Sequence, residues 1–209
     1  MSINIINRAL MKIGENPIAS VNQSPLGVFA GRMYEDGRKA LLSTHYWRFA
    51  IKRARLVKLD EDSNSEVFNY AYALPSDYLV LKDFGEMYKL PNLNDINLVT
   101  DSRYSIEGNR ILTKSDKADS ITYIADINDT NLFPALFKEA LISWIAAELS
   151  VRIKNGADYK QLFIAEFDRY IAQAINNNEI VRDTESLPDN SGVSCRETFG
   201  VDWHGETNS

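Results

Sequence analysis

The sequence predicts an α+β fold: a bundle of about four helices, a small antiparallel β lobe inserted between helices 2 and 3, and an extended C-terminal arm. Three observations predict it. Apolar residues recur at helical spacing over about 2–13, 25–45, 133–153 and 158–178. Between the second and third of these the apolar period changes to two, and over 179–209 neither period is present.

Helix 1 places Ile3, Ile6, Ala9, Leu10 and Ile13 on one stripe, with Gly14 positioned as a left-handed stop and Asn16-Pro17 as a break beyond it. Helix 2 opens at Ser24-Pro25, an N-cap followed by the one residue whose missing N–H costs nothing there. Its apolar face runs through Leu26, Phe29, Ala30, Met33, Ala40 and Leu41. Gly27, Gly31 and Gly37 each cost a helix roughly 1 kcal/mol relative to alanine. Close helix–helix approach would justify them, and a break near Gly37 is the alternative.

In the β lobe, 46–125, the run Tyr46-Trp47-Arg48-Phe49-Ala50-Ile51 reads as a strand with Trp47, Phe49 and Ile51 on its core face. Ala54 and Leu56 follow with the other parity, which implies a bend near Lys52-Arg53. Short strands are expected over 70–74, 78–81, 104–106, 110–113 and 120–124, with Pro75-Ser76-Asp77 as a turn and Glu107-Gly108-Asn109 as a hairpin turn. Helix 3 is apolar on most sides, through Leu136, Phe137, Ala140, Leu141, Trp144, Ile145, Ala147, Leu149 and Ile153, and therefore belongs at the centre. Helix 4 carries a cleaner stripe of Tyr159, Leu162, Phe163, Phe167, Tyr170, Ile171, Ala174 and Ile175, and covers the core from outside.

The chain has 209 residues, 44% of them hydrophobic and 25% charged, and a net charge of −6. That supports one packed domain, 1–178, with an appended arm, 179–209, and argues against a multidomain enzyme and against general nucleic-acid binding. A single cysteine, Cys195, excludes an intrachain disulfide and a cysteine-rich zinc site and suits a reducing compartment. No apolar window approaches the roughly 18 residues that span a bilayer, and no secretory signal opens the chain, so a soluble protein without membrane contact is expected.

No catalytic, cofactor-binding or metal constellation is found. The two histidines, His45 and His204, stand at a helix end and in the polar tail. Phosphate-loop and dinucleotide glycine patterns are missing, and Asp116, Asp119, Asp126 and Asp129 lack calcium-loop spacing and read as solvated loop acids. A non-enzyme without cofactors is expected; a small hydrolase with dispersed carboxylates would need a pocket with perturbed acids.

Charge is concentrated in two places. The segment 38–58 holds seven basic residues and no acid. Arg48, Lys52 and Arg55 are the candidate contacts for solvent, a neighbouring subunit or a channel, while Arg53, at the expected bend, fits either burial with an acid or exposure. A nucleic-acid-binding module using 38–58 is the alternative reading of the same residues. The arm 179–209 carries seven acids and two arginines, a net of −5, yet retains Phe199 and Trp203 four residues apart as candidate anchors for a partner groove. A floppy solubilising end is the other reading of that composition.

Asn7-Arg8-Ala9-Leu10 with Ile13-Gly14-Glu15-Asn16-Pro17-Ile18, followed by His45-Tyr46-Trp47-Arg48-Phe49-Ala50-Ile51-Lys52-Arg53-Ala54, resembles the tail tubular proteins, head-to-tail adaptors of short-tailed bacteriophages. The likeness continues through Tyr72-Ala73-Leu74-Pro75-Ser76-Asp77, Tyr104-Ser105-Ile106-Glu107-Gly108-Asn109-Arg110-Ile111-Leu112 and 133–152, and spans 3–178 in consistent order. Tyr46 departs from it, standing where the family often has proline. The resemblance implies a structural virion protein made in the bacterial host cytoplasm and placed at the head–tail junction. There it would form a ring of identical subunits, dodecameric in the family, between the portal protein and the tail nozzle, with DNA passing through the lumen without sequence-specific binding.

Overall fold

The computed structural model of the chain describes residues 3–60, 65–84, 104–114, 120–152 and 156–186. They form an α+β fold in which antiparallel strands lie between the second and third of four helices.

Helix α1 (Ile3–Lys12) buries Ile5, Ile6, Ala9 and Leu10. It stops where expected: Gly14 has φ of 82°, and the N–H groups of Glu15 and Gly14 return to the carbonyls of Leu10 and Met11 at 2.9 and 3.1 Å, a Schellman closure. Asn7 then holds the following loop with its amide, donating to the Ile18 carbonyl and accepting from the Ile18 N–H, both at 2.9 Å.

Helix α2 (Pro25–Thr44) begins at Ser24, whose hydroxyl accepts from the Gly27 N–H at 3.0 Å, and runs unbroken past Gly37. The glycines there mark close approach. A Cβ on Gly37 would fall inside the Trp144 ring, and one on Gly27 would meet the Val21 carbonyl oxygen. The buried stripe is Ala30, Tyr34, Arg38, Leu41 and Leu42, with Ala40 exposed. Ala40 thus leaves the expected face because that face turns about 100° per residue and is centred on Tyr34 and Leu41.

The expected strand at 46–51 is not formed. Trp47 is buried, but residues Arg48–Ala50 make a 3-10 turn, and strand β1 (Ile51–Arg55) starts only after it. The backbone groups are claimed elsewhere: the Ala50 N–H donates to the Trp47 carbonyl at 2.9 Å and the Arg48 N–H to the Asn178 side chain at 3.0 Å. The expected bend at Lys52-Arg53 is absent too. β1 pairs without interruption from Ile51↔Ile124 to Arg55↔Ser120; Trp47 and Phe49 precede the strand, and within it Ile51 and Ala54 are half-buried on opposite faces.

Strands β2 (Val57–Lys58), β3 (Tyr70–Ala73), β4 (Tyr78–Phe84), β5 (Tyr104–Glu107), β6 (Arg110–Thr113) and β7 (Ser120–Ala125) complete two antiparallel sheets of order β1-β7-β4 and β2-β3-β6-β5. Gly108, with φ of 62°, makes the β5–β6 hairpin, whose last pair is Glu107↔Arg110. Buried Leu56 marks the crossing from the first sheet to the second.

Helix α3 (Ala135–Ser150) is buried on nearly every side, as Phe137, Leu141, Ile142, Ile145 and Leu149 show. Helix α4 (Gly156–Ser186) packs along it through Phe163, Phe167, Ile171 and Ala174. Tyr159 and Leu162, assigned to that stripe from sequence, are 55% exposed each, because they fall on its flank. Helix α4 also continues past Asn178, where the arm was expected to start. Nothing in Asn176-Asn177-Asn178 forbids helix, and the first residue that restricts its predecessor is Pro188. The arm proper, with Phe199 and Trp203, lies outside the described residues. One continuous core joins all four helices to Leu56, Tyr72, Ile111, Ile121 and Ile124 of both sheets, so the β lobe shares the core of the bundle. Among the described residues no helix is long and apolar enough to cross a membrane.

Gly37→Ala tests the close approach of α2 and α3. Alanine gains about 1 kcal/mol of helix propensity, but the collision with Trp144 should outweigh it, for a net loss of about 1 to 3 kcal/mol in denaturant melts. A stabilised variant would contradict the packing.

Candidate interaction site

The corner that joins α2 to β1 is built as a clasp. His45 caps α2 in extended conformation, and Trp47 turns inward so that its Nε1 donates to the Leu41 carbonyl at 2.8 Å. Its ring meets Phe137 edge-on at 5.2 Å and His45 at 5.1 Å. Asn178 of α4 closes the corner: its Oδ1 accepts from the Arg48 N–H, and its Nδ2 donates to the Tyr46 carbonyl at 3.2 Å and lies 2.9 Å from His45 Nε2. Glu179 Oε1 stands 3.2 Å from the same histidine nitrogen.

Beside this clasp opens a groove of about 370 Å³, walled by Trp47, Pro134, Leu136 and Ala174 and edged by Arg48, Asn177 and Asn178. The N-terminus of α3 forms its end. Pro134 occupies the cap position and offers no side-chain acceptor, so the first N–H groups of α3 lack a cap and leave partial positive charge beside Arg48. The slot is mostly apolar, with Arg48 and the start of α3 at its edge.

The other expected contacts do not gather there. Lys52 reaches Asp77 at 2.6 Å, and Tyr123 donates to the second oxygen of that carboxylate at 2.8 Å. Arg53 and Arg55 are exposed and stand opposite Thr122 and Ser120 on one face of the sheet, whereas Lys52 stands opposite Tyr123 on the other. Arg48, Lys52 and Arg55 therefore form no single patch. Phe199 and Trp203 lie outside the described residues.

Three functional side chains escaped the sequence reading. Arg38, counted with the basic segment, is 1% exposed and donates to Asp126, to Glu35 at 2.6 Å and to the Ile127 carbonyl at 3.0 Å. Burial works against its charge, but the bonds and charges of Asp126 and Glu35 outweigh it and raise its pKa. Asp126 is thus a counter-ion rather than a solvated loop acid. Position 38 follows Ala30 and Tyr34 at four-residue spacing, and that was the available signal. Lys12 bridges α1 to Glu166 of α4 and to the Ser143 hydroxyl of α3, the latter at 3.0 Å. Asn178 gave no signal at all.

Among the described residues no group of three His, Cys, Asp or Glu side chains is placed to hold a metal ion. No family model and no curated protein matches the chain.

The Lys52–Asp77–Tyr123 cluster sets a pH dependence. Burial, then the bond and charge of Asp77, push Tyr123 up to about 12. This folded value lies above the ordinary phenol value of about 10, so its contribution is complete below that pH and is lost as pH rises through about 12. Burial alone would raise Asp77, yet the bonds from Lys52 and Tyr123 and the Lys52 charge hold it below the usual carboxylate value. Its contribution is present above about pH 4 and is lost as pH falls through that lowered value. Tyr123→Phe should cost about 1 kcal/mol at neutral pH and flatten the alkaline limb of the melting profile. In near-ultraviolet titration it should remove a late-ionising phenol.

Arg38→Met should cost about 2 to 4 kcal/mol, because Asp126 and the Ile127 carbonyl lose their partner. The loss should persist in high salt, since buried pairs are weakly screened. A change under 1 kcal/mol by denaturant melting would contradict this.

Proposed function

We propose that this chain is a structural virion protein, a ring adaptor between portal and tail nozzle that joins head to tail and surrounds the path of exiting DNA. The observation that carries the reading is the ordered set of residues that resembles the tail tubular proteins. Those residues work as architecture: Asn7 and Ile18 lock the first loop, Gly14 ends α1, the His45 to Ala54 run makes the clasped corner and β1, and Asp77 and Gly108 fix two turns. A subunit that must keep one shape under contact with several partners needs such joints more than it needs a reaction centre.

The exposed side chains support the same reading. Tyr159, Leu162, Ile164 and Ile180 are exposed apolar residues along α4, which neighbouring subunits in a ring would cover. Arg53 and Arg55 would face either a neighbour or the lumen. The alternative, a nucleic-acid-binding module using 38–58, loses Arg38 to the core and Lys52 to Asp77.

Purified chain should run as a monomer or weak oligomer and form a closed ring when mixed with the cyclic portal of the same virus, as seen in particle images. A tight dimer indifferent to portal would defeat the proposal. Salt-dependent binding of the isolated monomer to free DNA would favour the alternative. Phe199→Ala with Trp203→Ala should leave the melt unchanged and weaken portal docking.

A further inference from the structure

We propose that the corner clasp is a proton-operated latch: neutral His45 holds α4 against the α2–β1 corner, and a proton on its Nε2 hands the ring to Glu179 and releases Asn178. The inference rests on the corner alone and is independent of the ring reading.

Main-chain groups fix which way the Asn178 amide points. Its Oδ1 accepts from the Arg48 N–H at 3.0 Å, and its Nδ2 donates to the Tyr46 carbonyl at 3.2 Å. Turning the amide over would set an NH2 group against an N–H and an oxygen against a carbonyl oxygen, so both main-chain groups would lose their partner. The same Nδ2 lies 2.9 Å from His45 Nε2, and a donor there needs a lone pair on that nitrogen. Neutral His45 with its proton on Nδ1 supplies one. The closed clasp is therefore the neutral-histidine state.

Glu179 asks the opposite of the same atom. Its Oε1 stands 3.2 Å from His45 Nε2, where a carboxylate gains nothing from a lone pair but accepts from an imidazolium N–H in a charge-assisted bond. One nitrogen cannot serve both neighbours. Once Nε2 carries a proton, the His45–Glu179 pair forms and the Asn178 NH2 group faces an N–H, so the amide swings away and takes its bonds to Tyr46 and Arg48 with it. The His45 side chain is 16% exposed, which leaves water a route to the ring.

The charged groups at this corner act in opposite directions. Glu179, from α4, favours a positive ring, and Arg48, the cation at the groove edge, opposes a second positive charge there. From the corner itself the Trp47 ring meets His45 edge-on and carries no charge. Phe163, Phe167 and Ile171 hold the earlier turns of α4 on the core whichever state His45 is in, so protonation frees the corner without unfolding the bundle. The groove beside Trp47 is edged by Asn178 and changes shape with the latch.

His204→Gln leaves His45 as the only histidine in the full-length chain, so ring nitrogen shifts in NMR report its state alone. On the alkaline side they should show the proton on Nδ1. From about pH 8 down to about pH 5, the general range of imidazole titration, the Arg48 amide should lose protection in step with the ring. Its solvent exchange, corrected for the intrinsic pH dependence, should rise about tenfold or more while α3 amides stay protected. Asn178→Asp puts an acceptor where the NH2 group was and should reverse the sign, with Arg48 better protected in acid. Glu179→Gln should need a lower pH to loosen the same amide. In each variant protected α3 amides report an intact bundle. A neutral ring protonated on Nε2 would overturn the inference, as would Arg48 exchange that ignores the state of the ring. So would an Asn178→Asp protein that still loosens in acid, or a Glu179→Gln protein that loosens at the unchanged pH.

Discussion

A helix that is apolar all round has to be covered all round, and α3 imposes that condition on the rest of the molecule. Each fully buried large side chain contributes roughly 1.5 to 3 kcal/mol relative to exposure, and α3 supplies Phe137, Leu141, Ile142, Ile145 and Leu149. Helix α1, helix α2, helix α4 and the aromatic corner each take one side. The tight contact is α2 on α3, where Gly37 lets the Trp144 ring lie against backbone. Rim pairs such as Arg8–Glu139 at 2.7 Å and Lys160–Glu148 at 3.2 Å join the covers at their edges. Exposed pairs of this kind contribute about 0 to 1 kcal/mol each, so they set orientation while burial supplies the stability.

The covering of α3 also sorts the charges of the neighbouring segment. A run of seven cations over 38–58 looks like one positive face when read along the chain. Folding sends Arg38 into the core against Asp126, ties Lys52 to Asp77, sets Arg48 at the edge of a groove and leaves Arg53 and Arg55 together on one sheet face. A continuous phosphate-tracking stripe would need those cations aligned on one surface. Folding disperses them instead.

The groove exists because of the clasp next to it. Asn178 reaches the backbone at Tyr46 and Arg48, which fixes the distance between α4 and the corner while Ala174, one turn earlier, leaves space between them. A larger residue at 174 would close the slot. Continuation of α4 to Ser186 keeps Asn178 inside a helix instead of at a fraying end, and so keeps the groove's shape independent of whatever follows.

Features governed by neighbours in the chain were legible in the sequence. Gly14, Ser24-Pro25 and Gly108 act through φ angles and hydrogen bonds a few residues long, and each does what its chemistry dictates. The helical periods of α1 to α4, the hairpin and the central place of α3 follow from the same local patterning. Apart from the end of α4, the misread features of the core and the corner have partners far away. Arg38 answers to Asp126 at a separation of 88 residues, and the corner at His45 answers to Asn178 at 133. Trp47, Phe49 and Ile51 alternate like a strand, but of the three only Ile51 meets a neighbouring strand, at Ile124, and residues Arg48–Ala50 turn and bond to themselves and to α4. The sequence alone determined which segments are helical, where α1 stops and α2 starts, and which helix is central, because those choices are settled by local sterics and burial. Tertiary structure decided which cations are buried, where β1 begins and where a groove opens, because those depend on which distant groups arrive to satisfy them.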